Sequence, residues 1–254
     1  DYAELKKRQK SGEFVTNTGT KKRRFRRVES KITAKGARAI FYRQFLEYKK
    51  EKYFIFTKMT VLSAVVAFIF AYSLQKSVSD SSMAGFILLG VVAYVALIMS
   101  GYTGKWESEL KNPYIFLIPD SPLKKMWYAT LMEHVKAFAD GCIICIPIGI
   151  FWHVPVIEII YCILIYTVLQ ADRLYTMVIV QSLLGEVFGK TGQSLLRMFI
   201  QMALLGVGAG VGVLAAVLIS QTLIFPIVLI YGLMITVAMG AIALLRFDTM
   251  EQFV

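Results

Sequence analysis

Apolar runs close to the ~20 residues that a helix needs to cross a bilayer recur along the whole chain. They fall at about 54–75, 84–104, 124–152, from 156 onward, 196–220 and 223–245. A soluble domain does not bury several such runs. The hydrophobic share is 57%, against the usual ~45–50%, and the mean hydropathy is positive. The expected fold is an all-α integral membrane protein of six transmembrane helices. Residues 36–53 precede them as an amphipathic helix in the interface plane. There Ile40, Phe41, Phe45, Leu46 and Tyr48 alternate with Arg38, Arg43, Glu47, Lys49 and Lys50.

Charge sets the expected orientation. The net charge is +11, and 18 of the 28 Lys and Arg residues lie in the first 58 positions. Residues 1–35 are polar and carry the cluster Lys21-Lys-Arg-Arg-Phe-Arg-Arg27, which reads as a basic cytoplasmic linker able to meet anionic lipid. Beside spanning helices such charge marks the cytoplasmic side, and no nucleic-acid partner is expected. Lys105, Lys111, Lys124, Lys125, Lys190, Arg197 and Arg246 then fall inside, and the outer loops hold only Lys76. Both termini are therefore expected in the cytoplasm of a multi-pass plasma-membrane protein.

Between the second and third runs lies Glu107-Ser-Glu-Leu-Lys-Asn-Pro-Tyr-Ile-Phe-Leu-Ile-Pro-Asp-Ser-Pro-Leu-Lys124. Pro113, Pro119 and Pro122 break it into short pieces, because each fixes φ and lacks an N–H. Asp120 or Ser121 is suited to cap a new helix, with Pro122 in its first turn. The plug Tyr114-Ile-Phe-Leu-Ile118, with charged flanks, reads two ways: a surface that another protein grips, or a connector folded onto its own helix ends.

Polar residues inside the apolar runs also read two ways. Gln170-Ala-Asp-Arg173 interrupts the fourth run. At ~1.5 Å per residue, Arg173 lies ~29 Å from the turn His153-Val-Pro155, about the full hydrocarbon thickness. Asp140, at ~20 Å, is deeper. Glu133, Asp140, Asp172 and Arg173 form a polar gate on a substrate path, or Arg173 anchors at the interface by pairing with Glu133. Gly206-Val-Gly-Ala-Gly-Val-Gly212 sits within a spanning run with no strand before it. Its overlapping pairs, Gly206 with Gly210 and Gly208 with Gly212, suit close helix packing. The run ending near Phe188 is expected to stop at Gly189, with an inner loop over 189–195 and a short polar tail from Phe247. Cys142, Cys145 and Cys162 all lie in apolar runs and read as core packing. His134 and His153 stand alone, and no metal site is expected.

The segment Glu109-Leu-Lys-Asn-Pro-Tyr-Ile-Phe-Leu-Ile-Pro-Asp-Ser-Pro-Leu-Lys-Lys-Met-Trp-Tyr128 resembles the signature of ABC exporter permeases of Gram-positive bacteria. The flanking helix order agrees over roughly 36–250. The resemblance implies a permease domain at 54–250 whose cytoplasmic coupling segment, 105–127, docks in a groove of a separate ATPase subunit. Tyr114, Phe116, Leu117 and Ile118 would supply the plug. Glu107, Glu109, Asp120, Lys124 and Lys125 would supply charged contacts, and Asn112, Pro113, Pro119, Ser121 and Pro122 complete the docking segment. It also implies that 36–53 is the elbow helix before the first span. The basic stretch would join two six-helix halves of a longer permease, which suits a chain starting at Asp1; a half-size subunit pairing with another half or copy is the alternative. The chain lacks a phosphate-binding Gly-Lys-Ser/Thr loop after a strand. ATP and Mg²⁺ are thus expected on the partner, and no catalytic residue or cofactor on this chain. Competing readings are a membrane scaffold for another cytosolic protein and a lipid-processing membrane enzyme.

Overall fold

The computed structural model describes residues 34–50, 54, 56, 58–75, 81–101, 105–110, 113–184, 189–218 and 220–252. The basic cluster at 21–27, the loop with Lys76, and Lys111 and Asn112 lie outside them. The described residues form helices without strands: α1 (Arg38–Lys50), α2 (Lys58–Leu74), α3 (Ser81–Ser100), α4 (Lys105–Leu110), α5 (Pro122–Phe151), α6 (Val156–Leu184), α7 (Gly189–Leu218) and α8 (Ile224–Gln252).

Five of these, α3 and α5 to α8, are long and apolar enough to cross a membrane. The apolar α2 has 17 residues, ~26 Å at the usual rise. Helices α5 to α8 have 29 or 30 residues each, ~44 Å, against a hydrocarbon layer of ~30 Å. Each of these four therefore has two or three turns more than the hydrocarbon needs.

Helix α6 is the centre of the bundle and packs on α3, α5, α7 and α8, while α1 lies along α5. The turn between α5 and α6 is as short as expected. Trp152 and Val154 donate back to the carbonyls of Ile148 and Gly149, and His153 takes a positive φ of 54°. Near this turn the core is aliphatic and continuous. Leu88, Val91, Val92 and Val95 of α3 meet Ile144 and Ile148 of α5 and Cys162 and Tyr166 of α6. Cys145 and Cys162 are fully buried there as unbridged thiols. A second core at the opposite end gathers Ile40, Trp106, Leu110, Ile115, Met126, Leu174, Met177, Ala243 and Phe247.

Two boundaries differ from the sequence reading. Residues 189–195, expected as a loop, form the first turns of α7. Gly189 has a φ of +61°, which glycine adopts most readily, and the helix starts on it. Ser194 and Arg197 then bond other elements, and those contacts outweigh the modest helix preference of the Thr-Gly-Gln-Ser run. Residues 247–252, expected as a polar tail, continue α8, because Phe247 is fully buried.

Candidate functional site

The segment between α3 and α5 sits at the end of the bundle opposite the Trp152–Pro155 turn. After α4 the chain makes a single 3-10 turn, Pro113–Ile115, then a turn through Phe116–Asp120 into Pro122. Ser121 is the N-cap residue of α5 by backbone geometry alone, without a side-chain cap.

Contacts from most of the bundle clamp this segment. Trp106 is fully buried and donates its indole N–H to the Leu174 carbonyl of α6 at 3.3 Å. The Phe247 ring of α8 lies 6.4 Å from that of Trp106 and 5.1 Å from that of Phe116. Lys125 of α5, fully buried, donates to the Phe116 carbonyl at 3.2 Å. Glu107 pairs with Arg197 of α7 at 3.2 Å, both buried. Glu109 pairs with Arg43 of α1. Ser194 of α7 donates to the Gly101 carbonyl at 2.7 Å, just before the segment.

Asp120 makes the junction with α1. One carboxylate oxygen accepts the Ala37 N–H at 3.1 Å, and the other accepts the Ser121 N–H at 2.9 Å. These backbone donors, helped by Lys124 at 3.6 Å, hold its carboxyl below the usual range. Gly36 is needed here on two counts. Its φ is +63°, and a Cβ would stand 2.8 Å from an Asp120 oxygen.

The expected docking residues thus divide. Glu107, Glu109 and Lys125 were expected to offer charge to a partner. The structure places them inside, satisfied within the chain. A carboxylate taken from water needs such a partner, and here each has one. Phe116 and Ile118 are partly buried on the second core. Tyr114 and Leu117 are 69% and 65% exposed, and Pro119, Ser121 and Lys124 are exposed with them. Leu123 and Trp127, on the first turns of α5, add two large exposed apolar side chains. From sequence, Arg43, Arg197 and Phe247 read only as an interfacial charge, an inner-side charge and the start of a polar tail, and Trp106 is not singled out. Trp106, an aromatic at the start of the segment, was the only one with a local signal.

The polar residues of α5 and α6 form a separate layer. Glu133 accepts from the Tyr48 hydroxyl of α1 at 3.2 Å. Arg173 donates to Gln170 at 2.8 Å and is within electrostatic range of Glu133 and Asp140. Asp140 has Thr60 of α2 as a hydrogen-bonding neighbour. Glu133, Asp140 and Arg173 are therefore brought together. Asp172 is 2% exposed and lies on the α8 side, within range of Tyr231. The glycine run divides as well. A Cβ at Gly208 would meet Tyr231 at 2.9 Å and one at Gly212 would meet Val228 at 3.3 Å, whereas Gly206 and Gly210 face open space.

Long apolar helices around a central α6, with a polar segment clamped across one end, define a multi-pass membrane protein. The chain belongs to the family described as "Putative ABC exporter", whose model matches residues 1–251. It is a membrane component of a transporter. No curated protein and no solved structure matches it.

Proposed function

We propose that this chain is the permease of an ATP-driven exporter and that the segment 105–127 receives the stroke of a separate cytoplasmic ATPase. The observation that carries this reading is the combination of outward apolar side chains with a rigid footing. Tyr114 and Leu117 are exposed on a segment fixed to α1, α5, α6, α7 and α8. Large exposed apolar groups at a polar helix end suit a protein partner. The clamps would turn a local push into a rigid-body movement of the helices, the kind of motion by which access alternates.

In this reading α2 is the first of six spans, with α1 as the elbow. Helix α1 buries Ile40, Gln44 and Tyr48 and keeps Arg38, Lys49 and Lys50 exposed. The charged end holding the segment and both termini face the cytoplasm. ATP and Mg²⁺ are held by the ATPase, and a second permease half or copy completes the transporter.

The test is affinity purification from native membranes in mild detergent. A nucleotide-binding subunit should come with the wild-type protein. Leu117→Asp should lose it while still inserting, because Leu117 is outward and an aspartate there adds a desolvated charge only at the interface. ATPase retention by a well-inserted Leu117→Asp protein would overturn the docking assignment.

A further inference from the structure

Where α1 meets the start of α5, the surface carries more positive charge than its neighbours use. Lys35, Arg38 and Lys124 are exposed there, with the Asp120 carboxylate between them. Lys124 lies 3.6 Å from one Asp120 oxygen, and Arg38 is within electrostatic range of the same carboxylate. Lys35 adjoins Gly36, whose backbone packs on it. Asp120 is already engaged, since its two oxygens accept the Ala37 and Ser121 N–H groups. Three cations around one hydrogen-bonded carboxylate leave a local excess of positive charge.

Arg38 is the best placed of the three. Its Nε donates to the Tyr128 hydroxyl of α5 at 3.2 Å. That bond holds the guanidinium and leaves its two terminal nitrogens for an outside acceptor, a fork that matches two oxygens of a phosphate. Tyr128 accepts from Arg38 and keeps its own O–H to donate. Lys124 precedes Tyr128 by one turn on the same face of α5. A guanidinium, a phenol and an ammonium therefore lie around one exposed spot.

The depth of this spot is that of lipid headgroups. Counted from Trp152, Tyr128 is ~36 Å along α5 at the usual rise. That is just past a hydrocarbon layer of ~30 Å and inside a headgroup region ~6 Å thick on each side. Helix α1 crosses α5 at the same level. From Arg38 to Tyr48 it advances ~15 Å, whereas their partners on α5, Tyr128 and Glu133, are only ~8 Å apart along that helix. Its axis is thus nearer the bilayer plane than the spanning direction. Tyr42 and Trp127, 49% and 51% exposed, add the aromatic rings that collect at a membrane surface.

We propose that Arg38 and Tyr128 bind the phosphate of an anionic phospholipid, with Lys35 and Lys124 selecting for net negative charge in its headgroup. A zwitterionic headgroup has the same phosphate but brings a cation to a spot already rich in them. A lipid held there bridges α1 and α5 beside Asp120 and so ties the footing of the segment to the membrane surface. The site rests on the membrane orientation proposed above and not on the ATPase.

The experiment uses the full chain in bilayers of phosphatidylcholine containing increasing fractions of phosphatidylglycerol brominated on its acyl chains. Quenching of Trp127 is read as the difference between the wild type and Trp127→Phe. Phosphatidylglycerol should be preferred over phosphatidylcholine by about tenfold. Arg38→Gln should cut that preference about fivefold, and Tyr128→Phe about threefold. Arg38→Lys keeps the charge but not the fork, and should fall between the wild type and Arg38→Gln. Arg38 is exposed, so these variants should keep the fold, which thermal unfolding of the same samples checks.

No preference in the wild type would overturn the proposal without reliance on any variant. An unchanged preference in both Arg38→Gln and Tyr128→Phe would overturn it as well, leaving diffuse attraction to the surface. Inorganic phosphate should not displace the lipid; loss of the preference in phosphate, but not in chloride of equal ionic strength, would assign the spot to a free anion. Loss of the preference only when a co-purified ATPase is bound would assign it to the protein partner, and either result overturns the lipid. Recovered ATPase with no lipid preference removes the site and leaves the exporter reading. An Arg38-dependent preference with no ATPase co-purifying keeps the site and removes the exporter reading.

Discussion

The two ends of the bundle are held together by different physics. Near the Trp152–Pro155 turn, aliphatic side chains of α3, α5 and α6 interlock around Leu88, Val92 and Ile148, all fully or almost fully buried. At the other end Glu107, Glu109 and Lys125 are also buried, each with a polar partner on another element or on the segment itself. Aliphatic packing is summed over many weak contacts and tolerates small slips. Buried charges tolerate little, because losing one partner leaves the other desolvated. The apolar end therefore serves cohesion, and the polar end fixes the segment in one position.

Breaking one clamp should have the largest effect. Arg197→Met removes the cation paired with the buried Glu107, a loss of about 3–5 kcal/mol in comparable buried pairs. Thermal unfolding in nanodiscs should show a large drop in midpoint. Adding Glu107→Met to Arg197→Met should recover most of it, since an apolar pair fills the same space. Equal instability of the single and double variants would mean that the pair acts through shape and not charge.

Apolar truncations at the two ends sharpen the contrast. Phe247→Ala removes the ring shared by Trp106 and Phe116, at a cost near 3 kcal/mol by analogy with other core aromatics. Ile148→Ala at the other core should cost somewhat less, about 2 kcal/mol. Only Phe247→Ala should raise protease cleavage and hydrogen exchange at 113–120, because that ring packs on Phe116 whereas Ile148 lies in the other core. Equal exchange in both variants would show that the segment is fixed without α8.

The smallest effect is expected from acid. The Ala37 and Ser121 N–H groups and Lys124 depress the folded-state pKa of Asp120. Its contribution is thus present above its unfolded pKa and lost as pH falls through the folded one. Acidification below the usual carboxylate range should speed exchange of the Ala37 amide while Trp106 stays buried. Asp120→Asn should show the faster exchange already at neutral pH. An Ala37 amide indifferent to both changes would remove Asp120 as the link to α1.

Much of the architecture was readable along the chain. The apolar runs placed α3, α5, α6, α7 and α8 because a helix in lipid satisfies its own backbone and shows its length as hydropathy. Pro119 and Pro122 marked the turn into α5, and His153-Val-Pro155 marked the hairpin, because both signals act within a few residues. Gly208 and Gly212 were legible as packing positions. That Gly206 and Gly210 face away from α8 was not, since the same spacing serves either face of a helix.

Tertiary structure alone decided which residues of the segment face outward. Glu109 meets Arg43 66 positions away, and Glu107 meets Arg197 90 positions away; no local pattern predicts such pairs. The same holds for Phe247, polar in its neighbours yet fully buried against Trp106 and Phe116. The sequence by itself determined a helical membrane protein with a proline-broken segment at one end, because hydropathy and backbone restriction are local properties. Only the fold decided that Tyr114 and Leu117 are offered to the outside while Glu107, Glu109 and Lys125 are withdrawn, because burial depends on what packs across from a residue.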